Sequence, residues 1–310
     1  MSCDARLEDA PTHAPLTLLT AAEKGDATAV LSLLQSGDEV VNGATTTGTT
    51  ALMKASHCGH SSVVALLLQH GADAALRDAT NGSTALMLAS ASGHADCAAL
   101  LLAADRVSPL EQDAEGRTPL LYAARRGHGE VLRLLLASPA FLSAPMPDAA
   151  DETGLTPLMA AAHAGALGAL SQLLESGASV YARDATGATA LHGAAARGQS
   201  ECARALLAAG ARADARDDDG YLPVDVAVGD ELRAALADAL DEQYELEREE
   251  LRLGAGRPAV ALSRPPPGTP APPTSRVSTG AATSRDGRRA DLGDISASDE
   301  RKCVVSTESQ

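Results

Sequence analysis

The chain has 310 residues, a formal charge of −16, 2% aromatic residues, no Trp and one Phe. A core built on large rings is thereby excluded, and Ala and Leu carry the apolar content, which suits closely packed helices. The acidic balance disfavours broad binding to phosphate backbones, and no apolar run approaches the roughly 20 residues that a membrane span needs. Charge is unevenly placed: residues 254–310 hold 8 basic and 6 acidic side chains, against 17 and 35 over residues 1–253. The cysteines Cys3, Cys58, Cys97, Cys202 and Cys303 are odd in number and never in C-x-x-C spacing. With an acidic start, MSCDARLEDAP, this predicts reduced thiols and an intracellular protein, cytoplasmic or nuclear.

Taken in chain order, the sequence repeats itself. LTLLTAAEKGDATAVLSLLQSG begins at Leu16, TTALMKASHCGHSSVVALLLQHGA at Thr49 and STALMLASASGHADCAALLLAAD at Ser83. RTPLLYAARRGHGEVLRLLLAS follows from Arg117, LTPLMAAAHAGALGALSQLLESGA from Leu155 and ATALHGAAARGQSECARALLAAGA from Ala188. A truncated copy, YLPVDVAVGDELRAALADAL, starts at Tyr221. The threonines Thr50, Thr84, Thr118, Thr156 and Thr189 are spaced by 34, 34, 38 and 33. Each is placed to cap a helix, with Pro tolerated in the first turn. Gly25, Gly59, Gly93, Gly127, Gly165 and Gly198 stop that helix, where a left-handed turn is cheap. A second helix follows, its apolar pairs such as Val63/Val64 and Leu67/Leu68 one turn apart. Neither helix can bury its stripe alone, so neighbours must stack into one elongated core.

GRTPLLYAARRGH and GLTPLMAAA carry a resemblance to the ankyrin repeat, whose signature is G-x-T-P-L-H-x-A-A-x-x-G-H followed by V-V-x-x-L-L-x-x-G-A. It covers about residues 14–240 and recurs in phase: five full repeats, a degenerate first one and a truncated last one. The resemblance implies an all-α solenoid of helix-turn-helix units joined by β-turn-like loops. Repeats then start near residues 14, 48, 82, 116, 154, 187 and 220, after a flexible N-terminus over 1–13. A charged helical extension is expected over 241–253 and a disordered Pro/Ser/Arg-rich tail over 254–310. In the tail, Arg264, Pro267 and Pro270 fit the R-x-x-P-x-x-P spacing read by proline-binding domains.

His57, Cys58 and His60 lie within four positions and have the donor types of a zinc site or a thiol–imidazole pair. His60, however, recurs as His94 and His128, 34 residues apart. In the family this histidine sits in the turn and bonds within the scaffold. His57 and Cys58 have no such copies and fall where ankyrin repeats vary. Cys97 and Cys202 share a repeat position with Val63 and Val131, which reads as core. No G-x-x-x-x-G-K-[ST], G-x-S-x-G or H-E-x-x-H is present, so neither catalysis nor a cofactor nor a metal is expected. ARDDDG at 215–220 lacks the ligand pattern of a calcium loop and reads as an inter-repeat turn.

Binding surface is the remaining chemistry. The resemblance implies partners docked on inner helices and turn tips, here His57, Cys58, Arg117, Arg125, Arg126, His163 and Arg197. Four guanidinium groups are then expected on one face of an acidic body, with Tyr122 as an aromatic anchor. The inserted stretch around Phe141, Pro145, Met146 and Pro147 is expected to pack locally. The function so read is a monomeric, non-enzymatic adaptor for partner proteins. The alternatives are a regulator of a partner enzyme and a substrate-recruiting adaptor of a ubiquitin ligase.

Overall fold

The computed structural model describes residues 17–37, 40–104, 106–143 and 147–252. The N-terminal residues through Leu16, Pro145, Met146, Cys3, Cys303 and the Arg264–Pro270 segment lie outside the described residues. Within them the chain forms successive antiparallel helix pairs. These are α1 (Leu18–Lys24) with α2 (Ala27–Ser36), α3 (Ala51–Cys58) with α4 (Ser61–Gln69), and α5 (Ala85–Ser92) with α6 (Ala95–Leu102). Then follow α7 (Pro119–Arg126) with α8 (Gly129–Leu136), a short α9 (Pro139–Ser143), and α10 (Pro157–Ala164) with α11 (Leu167–Glu175). The stack ends with α12 (Ala190–Ala196), α13 (Ser200–Ala208), α14 (Pro223–Val226) and α15 (Asp230–Arg252). Among the described residues there is no strand, only an isolated bridge between Ala44 and Thr50.

Local chemistry sets each boundary. The Thr50, Thr84, Thr118 and Thr156 hydroxyls accept from the backbone N–H three residues on, which supplies one of the donors a helix start leaves orphaned with a partner. Gly25, Gly59, Gly93, Gly127 and Gly165 close the inner helices at φ of 73 to 79°. The first helices of successive pairs pack against one another in a row from α1 to α14, and the second helices form a parallel outer row. The inner row is the more closely packed, because its contact positions are small: Ala55, Ala89, Ala123, Ala161 and Ala194 are fully buried. Tight packing on one side and looser packing on the other bends the stack toward its inner helices, which therefore line the concave face.

Two repeated devices lock neighbours. At the turn tips after the first, where the Thr45 hydroxyl takes the place, a carboxylate clasps its own loop: Asp113 Oδ1 accepts from the N–H of Glu115 and Arg117, and Asp151 and Asp184 do the same in their loops. Asp217 in ARDDDG is the same clasp, accepting from Tyr221 N–H, which gives that acidic run a structural role. The tips also bond to one another, for Ala79, Ala114, Glu152, Ala185 and Asp218 each donate an N–H to a carbonyl of the preceding tip. The second device is the recurrent histidine. Nε2 of His60, His94 and His128 donates to the carbonyls of Glu23, His57 and Ala91, each in the repeat before. Each ring lies directly over the glycine that ends the preceding inner helix, where a Cβ would meet ring atoms at 2.5–2.7 Å.

Two segments lie outside the repeat pattern. The four-residue insertion forms a helical turn, started by Ser138, whose Oγ accepts from Phe141 N–H. Phe141 is buried in the core while Leu142 is exposed. The terminal helix does not leave the body at 240. Beyond the buried Leu232, Leu236 and Leu240, the Gln243 amide bonds Ala213 N–H and Ala211 C=O, and Glu247 pairs with Arg212 at 2.7 Å. The helix is thus a cap held through Glu247, covering an end of the solenoid that would otherwise face water.

The histidine–glycine contact predicts a difference between two glycines in the same left-handed region. Gly59→Ala places a methyl within 2.6 Å of the His94 ring, whereas Gly71 has nothing within 4 Å. Gly59→Ala is expected to lower the urea-unfolding free energy by more than about 1 kcal/mol, and by more than Gly71→Ala. Equal losses would mean that the ring contact contributes nothing.

Candidate functional site

The concave face is built from the last turns of the inner helices. His57 and Cys58 end α3, Ala91 and Ser92 end α5, Arg125 and Arg126 end α7, and His163 lies in the last turn of α10, with Arg197 just after α12. Successive repeats bring alternating positions of this series into contact. His57 Nδ1 and Ser92 Oγ are 3.0 Å apart, and Arg197 Nε donates to His163 Nε2 at 2.7 Å.

These contacts divide His57, Cys58 and His60 between different neighbours. His60 turns away to the Glu23 carbonyl, while His57 faces Ser92. Among the described residues no group of three His, Cys, Asp or Glu side chains is placed to hold a metal ion. Cys58 is half-buried, and Cys97 and Cys202 are buried free thiols. Burial, reinforced by Asp96, pushes the Cys97 thiol up to about 11, so it stays protonated and behaves as a small apolar residue.

Two residues assigned to the surface are redirected. Tyr122 is 4% exposed, and its hydroxyl donates to Asp113 Oδ2 at 2.6 Å. Burial first, and then the Asp113 bond, push its phenol up to about 12. It is a strut joining helix α7 to its turn, and its ring lines the inner-face cleft rather than projecting from it. Arg117 is held beside it: its guanidinium lies 5.7 Å from the Tyr122 ring centre and pairs with Asp113 and Glu115. At 11% side-chain exposure it serves the same turn. The expected single face of four arginines therefore separates into smaller groups.

One group lines a cleft of about 280 Å³ across α3, α5 and α7, floored by Met53, Met87 and Leu88 and edged by Lys54, His57 and Arg126. Lys54 also pairs with Glu23 at 3.6 Å. The other group is Arg125, His163 and Arg197. Burial, and then the positive charges of Arg197 and Arg125, hold the His163 imidazole below its usual value. A neutral ring accepts from Arg197 Nε and fixes that guanidinium by one edge. Sequence reasoning did not foresee the apolar floor. Its signal was present in Met53 and Met87, which occupy the same repeat position on neighbouring inner helices.

Four histidines, His94, His128, His163 and His192, are held below the ordinary 6.5, with burial the largest cause in each. The unfolded chain therefore takes up protons first as pH falls. Stability is full above 6.5 and is lost as pH drops through 6.5 toward the lower folded values. The midpoint of thermal unfolding is expected to fall between about pH 7.5 and 5.5. The double variant His94→Gln/His128→Gln, which copies the natural Gln199 in the equivalent place, should flatten that slope; an unchanged slope would exclude these rings as its source.

Comparison with known proteins agrees with this architecture. The family model described as ankyrin repeats (3 copies) matches residues 18–113, 74–145, 102–184 and 140–217. The structure is similar to the human ASB11 ankyrin repeat domain, at 28% identity and a TM-score of 0.63, covering 73% of this chain and 98% of that one. It is also similar to the ankyrin repeat domain of Bcl-3, described as a unique member of the IkappaB protein family. There the identity is 28% and the TM-score 0.60, over 72% of this chain and 98% of that one. No curated protein matches the chain. Among the described residues no helix is long and apolar enough to cross a membrane. The family is typically a non-enzymatic interaction module, and with matches running from residue 18 to 217 this chain belongs to the ankyrin repeat family.

Proposed function

We propose that the protein is an intracellular adaptor that holds a segment of a partner protein along its concave face. The observation that carries this reading is the Arg125–His163–Arg197 cluster on the inner helices of a body whose net charge is strongly negative. Cationic side chains at the ends of inner helices are not needed for the stack, since the turns and the recurrent histidines already join the repeats. Arginine matches carboxylates with a planar fork and is enriched among residues that dominate interface energies. Whether the adaptor recruits its partner or inhibits it is decided by whether purified protein changes the partner's activity or only its location.

Affinity purification with mass spectrometry tests the reading. The wild type is compared with Arg125→Ala/Arg126→Ala/Arg197→Ala and with a chain ending at Leu253. Proteins recovered by the wild type and by the shortened chain are expected to be lost from the arginine variant. Loss from the shortened chain alone would move the working surface to residues beyond 253.

A further inference from the structure

The concave face holds two chemically different features at a fixed separation, and together they specify a ligand. The first is the cleft centred on α5, with a floor of Met53, Met87 and Leu88. Unbranched methionines adapt their shape to an inserted aliphatic group, so the cleft suits one side chain of the size of Leu, Ile or Met. The second is the cationic cluster spanning α7, α10 and α12. Arg197 is set apart from most arginines of the described body. Arg77, Arg117, Arg133, Arg183, Arg204, Arg212, Arg233 and Arg248 each have a carboxylate of the protein within 4.0 Å. The hydrogen-bond partner of Arg197 is instead a neutral imidazole that accepts from Nε. Such a guanidinium is oriented without being neutralised, which is the state that recognises an incoming carboxylate end-on.

We propose that the partner segment is an extended acidic peptide. It inserts one aliphatic side chain into the α5 cleft and places an Asp or Glu on Arg197, with Arg125 adding charge beside it. The inference rests on the adaptor reading above and adds the ligand's chemistry and spacing. Neighbouring packed helices lie about 8–10 Å apart, so the three steps from α5 through α7 and α10 to α12 give about 24–30 Å. An extended chain covers about 3.3 Å per residue, so the aliphatic and acidic positions are about seven to nine residues apart. Charge complementarity favours an acidic occupant at this cluster even though the rest of the body repels one. The repulsion confines binding to the groove and lends it a dependence on salt.

Selection of a phage-displayed random dodecapeptide library on the full chain tests this. The expected consensus pairs Leu, Ile, Met or Val with an Asp or Glu about seven to nine residues away. Arg197→Ala should weaken the best synthetic peptide at least ten-fold, with thermal unfolding unchanged. Replacing the peptide's acidic residue by Lys should do the same. A consensus without acidic residues, or one insensitive to Arg197→Ala, overturns the proposal and leaves the adaptor reading standing. Selection by a chain ending at Leu253 but not by the full chain also overturns it, because the occupant would then be the chain's own acidic segment DLGDISASDE at 291–300. Failure of both chains to select any peptide removes the proposal and counts against the adaptor reading as well.

Discussion

Everything in this molecule depends on contacts between repeats. A single pair of eight-residue helices, such as α5 with α6, has too little apolar surface to offset the entropy of ordering it. The pair persists because its neighbours cover both flanks. The histidine that bridges from one repeat to the carbonyl of the repeat before, over a glycine that leaves room for its ring, is the polar part of that contact. The buried alanines of the inner row are the apolar part. Both parts recur with the period of the sequence, and so the fold is a one-dimensional stack.

The same economy explains where chemistry can reside. Adhesion is carried by the tips, the inter-helix turns, the buried faces and the carbonyls that end the inner helices, and it makes no fixed demand on the side chains of those last turns. Those positions differ freely between repeats: His57, Ala91, Arg125, His163 and Ala196 share one place in the period. What they acquire is paired across repeats, as His57 meets Ser92 and His163 meets Arg197. A polar surface thus forms from residues some 35 positions apart on a support that does not depend on them.

Most of the architecture was legible in the sequence because its determinants are local and repeated. Thr caps, closing glycines and apolar pairs recur at 33–38 residues and mark the helix pairs unaided. What escaped was non-periodic. Tyr122 looked like a surface aromatic because its place in the period is variable; its burial comes from Asp113, nine positions earlier, whose second oxygen is spare once the turn is clasped. Arg117 was read as part of a binding face from its place at a turn tip, although the carboxylates that hold it belong to its own turn. The docking of the capping helix turned on Gln243, which bonds the backbone of Ala211 and Ala213, and on the Arg212–Glu247 pair, contacts outside the repeat period. The Ser138–Pro139 pair was the readable sign of the extra helix α9, but the larger interruption around it obscured the signal.

The central claim is that the inner face is the working surface and the outer row is its support. Hydrogen–deuterium exchange on the full chain, with and without a partner recovered by it, tests that claim most directly. New protection is predicted in peptides covering the ends of α5, α7, α10 and α12, with little change over α6, α8, α11 and α13. Protection confined to the outer row or to residues beyond 253 would contradict it.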